Sequence, residues 1–250
     1  MNLIFDIGNS RTKVALFENN ELVSKQIVDH LSADFLTKFL KNQKITHSII
    51  ASVGNSSLKL FNELQKNTFL HNFSYKSILP FTSLYASPQT LGVDRMAAIA
   101  GAMKLLPSTN ILVIDAGSCM TFDFVQANGE YHGGAISPGL SMRFKSLNTF
   151  TASLPLVTPD ENYTLPNGID TKTSILAGVQ DGIKAEIISK IEHYLKLYPD
   201  LSVLICGGDS AFFDSQLKNS IFANLLKTVP DLVLHGLNSI LQLQNGYSAS

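Results

Sequence analysis

Two acidic turns in this chain carry the residue types that phosphate chemistry requires. Asp6 ends the apolar run Leu3-Ile4-Phe5 and opens Asp6-Ile7-Gly8-Asn9-Ser10-Arg11-Thr12-Lys13. Asp115 ends Ile111-Leu112-Val113-Ile114 and opens Asp115-Ala116-Gly117-Ser118-Cys119-Met120-Thr121. A carboxylate at the end of a buried strand is costly unless it holds a cation. A glycine two residues on lets backbone N–H groups approach phosphate oxygens. Asn9, Ser10 and Thr12 add neutral donors, and Lys13 can neutralise charge on a transferring phosphoryl group. Two such turns are suited to gripping a metal-bound polyphosphate.

The elements around them repeat. Sliding the first stretch by about 109 positions puts Asp6 on Asp115, Gly8 on Gly117, Thr12 on Thr121, Asn19 on Asn128 and Glu21 on Glu130. Each half opens with a strand, an acidic turn, a second strand and a hairpin. Glu18-Asn19-Asn20-Glu21 forms the first hairpin turn, and Asn128-Gly129 predicts a type I′ turn for the second. Beyond Leu22–Ile27, Ser32 can cap a helix bearing Phe35, Leu36, Phe39 and Leu40. Ser48–Val53 reads as a buried strand, Leu58, Phe61, Leu64 and Gln65 as the next helix, and Tyr75–Leu79 as the last strand of that half. Gly92-Val93-Asp94-Arg95 opens an Ala-rich helix from Met96 to Leu106, whose small residues permit close packing. In the second half, 133–139 predicts a glycine-rich turn, Thr171 to Leu197 a long helix and Leu201–Cys206 a buried strand. A strand at Leu232–His235 and a helix at Leu237–Gln244 close the chain. The pattern is α/β with mixed sheets, duplicated, with domains 1–107 and 108–250 meeting near Pro107.

The composition excludes several classes. The 250 residues are 45% hydrophobic and 16% charged, with a net charge of −1. No Lys/Arg cluster offers a nucleic-acid footprint. No apolar run reaches the length of a membrane span. Met-Asn-Leu-Ile-Phe carries no basic leader, and the two cysteines, Cys119 and Cys206, read as small buried hydrophobes. A reducing, cytoplasmic setting is the expectation. Asp123 reads as a charge on a strand surface.

The ordered set Asp-x-Gly-Asn-x-x-x-Lys at 6–13, Gly-x-Asp-Arg at 92–95 and Asp-x-Gly-Ser at 115–118 resembles type III pantothenate kinase. That family belongs to the acetate kinase, sugar kinase, Hsp70 and actin superfamily. The resemblance implies two ribonuclease H-like (actin-like ATPase) domains and a homodimer. It also implies ATP-dependent phosphorylation of pantothenate, the first committed step of coenzyme A synthesis. By the same resemblance the turn from Asp6 through Lys13, including Ile7 and Arg11, binds ATP, with Asp6 near Mg²⁺ or another divalent cation, in part through water. Asp115 is expected near a monovalent cation, K⁺ or NH₄⁺, and Ser118 against ATP, where the family commonly shows Thr.

Tyr85, Gly92, Val93, Asp94, Arg95 and Thr171 map onto the substrate contacts. Asp94 is expected to accept the proton of the acceptor alcohol; as a first-turn residue it can also simply cap its helix. Arg95 can fork onto a carboxylate or amide oxygen or lie in a surface salt bridge. Tyr85 can be a plain loop aromatic. Thr171 competes with Thr173 for the substrate position, and can equally be an N-cap. Gly207-Gly208 can leave backbone room for a nucleoside. Two other readings stay open: another small-molecule kinase of the superfamily, or a nucleotide-binding regulatory protein of transcription.

Overall fold

The computed structural model describes residues 1–8, 11–52, 64–65 and 68–246. The chain divides into two compact units: residues 1–107, 129–131 and 231–250, and residues 108–128 and 132–230.

The first unit is built on the strand order β3-β2-β1-β4-β5. These strands are β1 (Asn2–Ile7), β2 (Thr12–Glu18), β3 (Glu21–Val28), β4 (His47–Ser52) and β5 (Phe69–Asn72). β1 lies antiparallel to β2 and parallel to β4. As the central strand it is covered on both faces, so Leu3, Ile4 and Phe5 are all fully buried. That is why an unbroken apolar run, and not an alternating one, precedes Asp6. β3 sits at the edge and alternates in exposure instead.

One face packs Leu3, Phe5, Val14, Leu16 and Ile50 against Leu36 of helix α1 (Ala33–Phe39). Ser32 caps that helix as its sequence predicts, accepting the Phe35 N–H at 3.1 Å. The other face meets α2 (Val93–Leu105) and the last helix, α7 (Leu232–Gln244).

Helices α2 and α7 cross at backbone contact. A Cβ on Gly101 would overlap the Leu232 carbonyl, and one on Gly236 the Ala97 carbonyl. The small residues of α2 therefore serve the close packing that their size suggests. Residues 232–235 are helical, where the sequence suggests a strand. Leu232, Val233, Leu234, Leu237, Ile240 and Leu241 are all buried, so α7 is apolar nearly all round. An apolar stretch of this kind has no periodicity to separate helix from strand.

The second unit repeats the order as β9-β8-β7-β10-β11. Its strands are β7 (Ile111–Ala116), β8 (Cys119–Val125), β9 (Glu130–Pro138), β10 (Ser202–Cys206) and β11 (Leu226–Thr228). Central β7 is antiparallel to β8 and parallel to β10, as β1 is to β2 and β4. The internal duplication is thus a duplication of topology. Over this sheet lies α5 (Gly182–Leu197), whose Ile183, Ile187 and Ile191 recur every fourth residue and are fully buried. Phe124 stacks on Tyr194 with ring centroids 4.6 Å apart. α4 (Thr171–Leu176) runs into α5 through a π turn at Ala177–Asp181. That wider turn brings buried Gln180 onto the loop ahead of it: its Oε1 accepts the Asp160 N–H at 2.8 Å and its Nε2 donates to the Asp160 carbonyl at 3.0 Å.

Other sequence expectations are corrected. Residues 75–79 form a turn, not a strand, because the Ser77 N–H folds back onto the Ser74 carbonyl at 3.0 Å. At 128–129 only Gly129 has positive φ, so the type I′ turn, which needs two such residues, does not form. The glycines at 133–134 lie inside β9 instead of in a turn. A Cβ on Gly134 would overlap the Phe122 carbonyl, so these glycines let two strand backbones approach. Helix α3 (Leu140–Thr149) occupies a stretch whose sequence suggests irregular structure. Of the helix expected near Leu58 and Phe61, only Leu64 and Gln65 are described, and both are helical; the rest, with Val53, lies outside the described residues.

Candidate active site

In the first unit, the ladder pairs Asp6 directly with Lys13. Their charged ends lie 3.8 Å apart, both side chains largely covered. Burial pushes the Asp6 carboxyl above its usual range. Lys13 pulls it down, and Asp94 pushes it up again. The structure therefore brings Asp6, Lys13 and Asp94 into one electrostatic neighbourhood. Gly8 closes the turn between the strands by donating its N–H to the Arg11 carbonyl at 3.1 Å, so that amide is occupied within the turn. Thr12 is buried, and Arg11 is exposed, with Asp29 3.9 Å away. Asn9 and Ser10 lie outside the described residues.

Asp94 stands in the first turn of α2, and its Oδ1 accepts the Arg95 N–H at 2.9 Å. Its carboxylate folds back over Gly92, where a Cβ would overlap Oδ1. Gly92 has φ −58°, which any residue can adopt, so the need for glycine here is steric. Arg95 is 5% exposed and so is buried, not a residue of the helix surface. Its guanidinium sits 5.7 Å from the centre of the Tyr85 ring. Tyr85 in turn stacks on Tyr131.

The second unit carries the other turn. Asp115 pairs with Thr121 across the ladder, and Ala116 with Met120. In the first unit the last pair is Ile7 with Thr12, enclosing residues 8–11; here the enclosed residues are 117–119. The second turn is one residue shorter. Thr121 therefore takes the place of Lys13, not of Thr12 as the 109-residue slide implies.

Two further glycines wall in this turn. A Cβ on Gly139 would overlap the Gly117 and Ser118 carbonyls. One on Gly207 would overlap Asp115 Oδ1 and the Ala116 carbonyl, and Gly207 also holds φ +91°. Asp209 follows, its N–H bonded to the Ala116 carbonyl at 2.9 Å and its carboxyl raised by burial. The sequence suggests room for a nucleoside at glycines 207 and 208 but does not by itself mark Asp209. A carboxylate three residues beyond Cys206, at a strand's end, was the available signal.

Asp123 is 1% exposed, not a surface charge, and accepts the Thr121 hydroxyl at 3.0 Å. Cys206 is buried as expected, but Cys119 is exposed at the start of β8. Thr171 is the exposed first residue of α4. The N-cap is Asp170, whose carboxylate accepts the Thr173 N–H at 2.8 Å and the Thr173 hydroxyl at 2.8 Å.

A buried carboxylate beside a like charge fits a cation. Among the described residues no three His, Cys, Asp or Glu side chains gather as a metal cage. Mg²⁺ does not require one, since it keeps several waters and takes phosphate oxygens along with one or two carboxylates.

A duplicated β3-β2-β1-β4-β5 sheet, with an acidic turn after each first strand, defines the class that includes the sugar kinases and the actin-like ATPases. Solved structures agree on the fold. A Campylobacter jejuni protein provisionally described as a Baf family transcriptional activator aligns with TM-score 0.59 at 24% identity, over 98% of this chain and 99% of its own. The activator of 2-hydroxyisocaproyl-CoA dehydratase from Clostridium difficile, with bound ADPNP, aligns with TM-score 0.52 at 11% identity, over 100% and 98%.

The family profile of type III pantothenate kinase matches residues 2–193. The type III pantothenate kinase of Phocaeicola vulgatus is 45% identical over 242 residues, 96% of this chain and 98% of that one. That of Christiangramia forsetii is 45% identical over 246 residues, 97% and 98%. The chain belongs to the type III pantothenate kinase family. No helix among the described residues is long and apolar enough to cross a membrane.

Proposed function

We propose that this protein transfers the γ-phosphoryl group of ATP to the primary hydroxyl of pantothenate, giving 4′-phosphopantothenate, the first step of coenzyme A biosynthesis. The observation that carries the assignment of roles is the Asp94 carboxylate. It is held by the Arg95 amide, folded over Gly92, and close enough to Asp6 to raise its carboxyl. A carboxylate so placed can accept the proton of the acceptor alcohol as the O–P bond forms. Phosphoryl transfer asks little covalent work of a protein, so alignment and charge supply the rate.

Each residue then has a role. Lys13 balances charge on the transferring group. Asp6 holds the divalent cation, whose chemistry when bound is to neutralise phosphate oxygens. Ile7, Gly8, Asn9, Ser10, Arg11, Thr12 and Ser118 contact ATP. Asp115 accompanies a monovalent cation, K⁺ or NH₄⁺. Tyr85, Gly92, Val93, Arg95 and Thr171 contact pantothenate. Thr173 is engaged by the Asp170 cap, which favours Thr171 for that contact. The protein works in the cytoplasm as a homodimer. A coupled assay with ATP, Mg²⁺, K⁺ and a panel of alcohols tests the reading. Turnover of pantothenate above the other alcohols is expected, and selective turnover of a sugar or of acetate would replace it.

A further inference from the structure

Residues 129–131 lie in the second half of the sequence but belong to the first compact unit. They pair in parallel with the short strand β6 (Thr82–Ser83). The Thr82 N–H donates to the Gly129 carbonyl at 3.0 Å, and the Leu84 N–H to the Tyr131 carbonyl at 2.9 Å. The backbone leading into Tyr85 is therefore pinned to this segment.

Side chains continue the connection. Tyr131 is 1% exposed, among the largest fully buried side chains. Its ring stacks on Tyr85 at 6.4 Å with an interplanar angle of 25°, and tilts against Phe81 at 5.6 Å. Tyr85, half-buried, carries the Arg95 guanidinium 5.7 Å from its ring centre. The order Phe81, Tyr131, Tyr85, Arg95 thus runs from a buried anchor to a buried cation. Aromatic stacking and cation–π contacts each contribute modestly, and both depend on ring orientation. A ring locked by its neighbour fixes the cation over it.

We infer that Tyr131 is a positioning residue for acceptor binding: it sets the pose of Tyr85 and, through Tyr85, of the Arg95 guanidinium. Tyr131 acts through these two residues and does not touch the reacting atoms. The inference rests on the assignment of Tyr85 and Arg95 to pantothenate. It predicts a selective defect, in acceptor binding and not in nucleotide binding.

The test replaces Tyr131 with Leu, which removes the ring, and with Phe, which keeps it. Tyr131→Leu is expected to raise the KM for pantothenate roughly three- to tenfold, the range one ring contact commands. The KM for ATP should stay within about twofold on the same argument. Tyr131→Phe, which keeps the ring, should retain the parent protein's KM for pantothenate. A second readout needs no substrate. The chain has only Arg11, Arg95 and Arg143, so the side-chain Nε–Hε resonance of Arg95 can be assigned with Arg95→Lys. Ring currents from Tyr85 place that resonance, and it should move in Tyr131→Leu but not in Tyr131→Phe.

A folded Tyr131→Leu protein with an unchanged pantothenate KM, or an unmoved Arg95 resonance, overturns the inference. So does an equal loss of kcat in the Leu and Phe variants. If Tyr131→Leu does not fold, Tyr131→Met is measured in its place against the same outcomes. If the parent protein does not phosphorylate pantothenate, the acceptor assignment falls, and the Arg95 resonance alone decides whether Tyr131 positions it.

Discussion

Asp6 and Lys13 are directly opposed across the β1–β2 ladder, with Lys13 Nζ 3.8 Å from Asp6 Oδ2. The equivalent position in the second hairpin holds Thr121, which donates to buried Asp123. One residue fewer in the second turn accounts for the exchange. The two turns share a fold but not a ladder partner: an ammonium side chain stands opposite Asp6 and a hydroxyl side chain opposite Asp115. Phosphoryl charge should therefore depend on the first turn.

Lys13→Met is expected to lower kcat by about 10²- to 10³-fold, the scale of losing one preorganised charge at a developing anion. The fold should survive, because the methylenes of Lys13 are replaced by a chain of similar length. Steady-state kinetics with circular dichroism check both halves of the statement. Activity within a factor of three of the parent would remove Lys13 from the chemistry.

Asp94→Asn keeps the size of the side chain and removes its capacity to accept a proton. A loss of kcat of about 10²-fold or more is expected, with ATP affinity retained. Isothermal titration with a non-hydrolysable ATP analogue separates binding from turnover. An active Asn variant would leave Asp94 only its role in the first turn of α2.

Gly92→Ala places a Cβ where the Asp94 Oδ1 now lies. The backbone tolerates alanine at φ −58°, so the thermal midpoint should barely change. The carboxylate must swing away, and kcat should drop by roughly tenfold, since misplacing a catalytic group by about an ångström is that costly or more. Comparing the melting temperature with kcat isolates the steric effect.

Gly207→Ala acts on the second turn. It meets both a positive φ of +91° and the Asp115 carboxylate. A stability loss of about 1–3 kcal/mol is expected from backbone strain. On the proposed pairing of Asp115 with K⁺, the K⁺ concentration for half-maximal activation should rise as Asp115 is displaced, with the KM for pantothenate unchanged. A titration of rate against K⁺ in the two proteins reads this directly.

Acid stability should depend on His235. It is half-buried against the edge of Phe17, and burial holds its pKa below the ordinary 6.5, against an upward pull from Asp231. The unfolded chain then binds this proton more readily than the folded one. The contribution to stability is full above pH 6.5 and is lost as pH falls from 6.5 toward the depressed value. His235→Gln should flatten the fall in melting temperature over that window, measured by scanning calorimetry in matched buffers.

The two acidic turns, the duplicated strand openings, the Ser32 cap and the Gly-x-Asp-Arg helix start were all legible from sequence. Each depends on local chemistry: a run of apolar residues, a turn residue, a cap. What lay beyond reach depended on contacts made across the chain. The helix at Leu232 reads as a strand until its burial on every side is known. Gly134 and Gly139 read as turn formers until the backbones they admit are seen.

The sequence by itself determined which residues could bear charge toward a polyphosphate, because composition and spacing suffice for that. Only the tertiary structure decided that Lys13 opposes Asp6, that Asp94 folds over Gly92, and that Tyr131 stacks on the ring beside Arg95. Ladder register and ring packing are fixed by how strands close and cores fill. Residues distant in the chain meet there for reasons that no local pattern records.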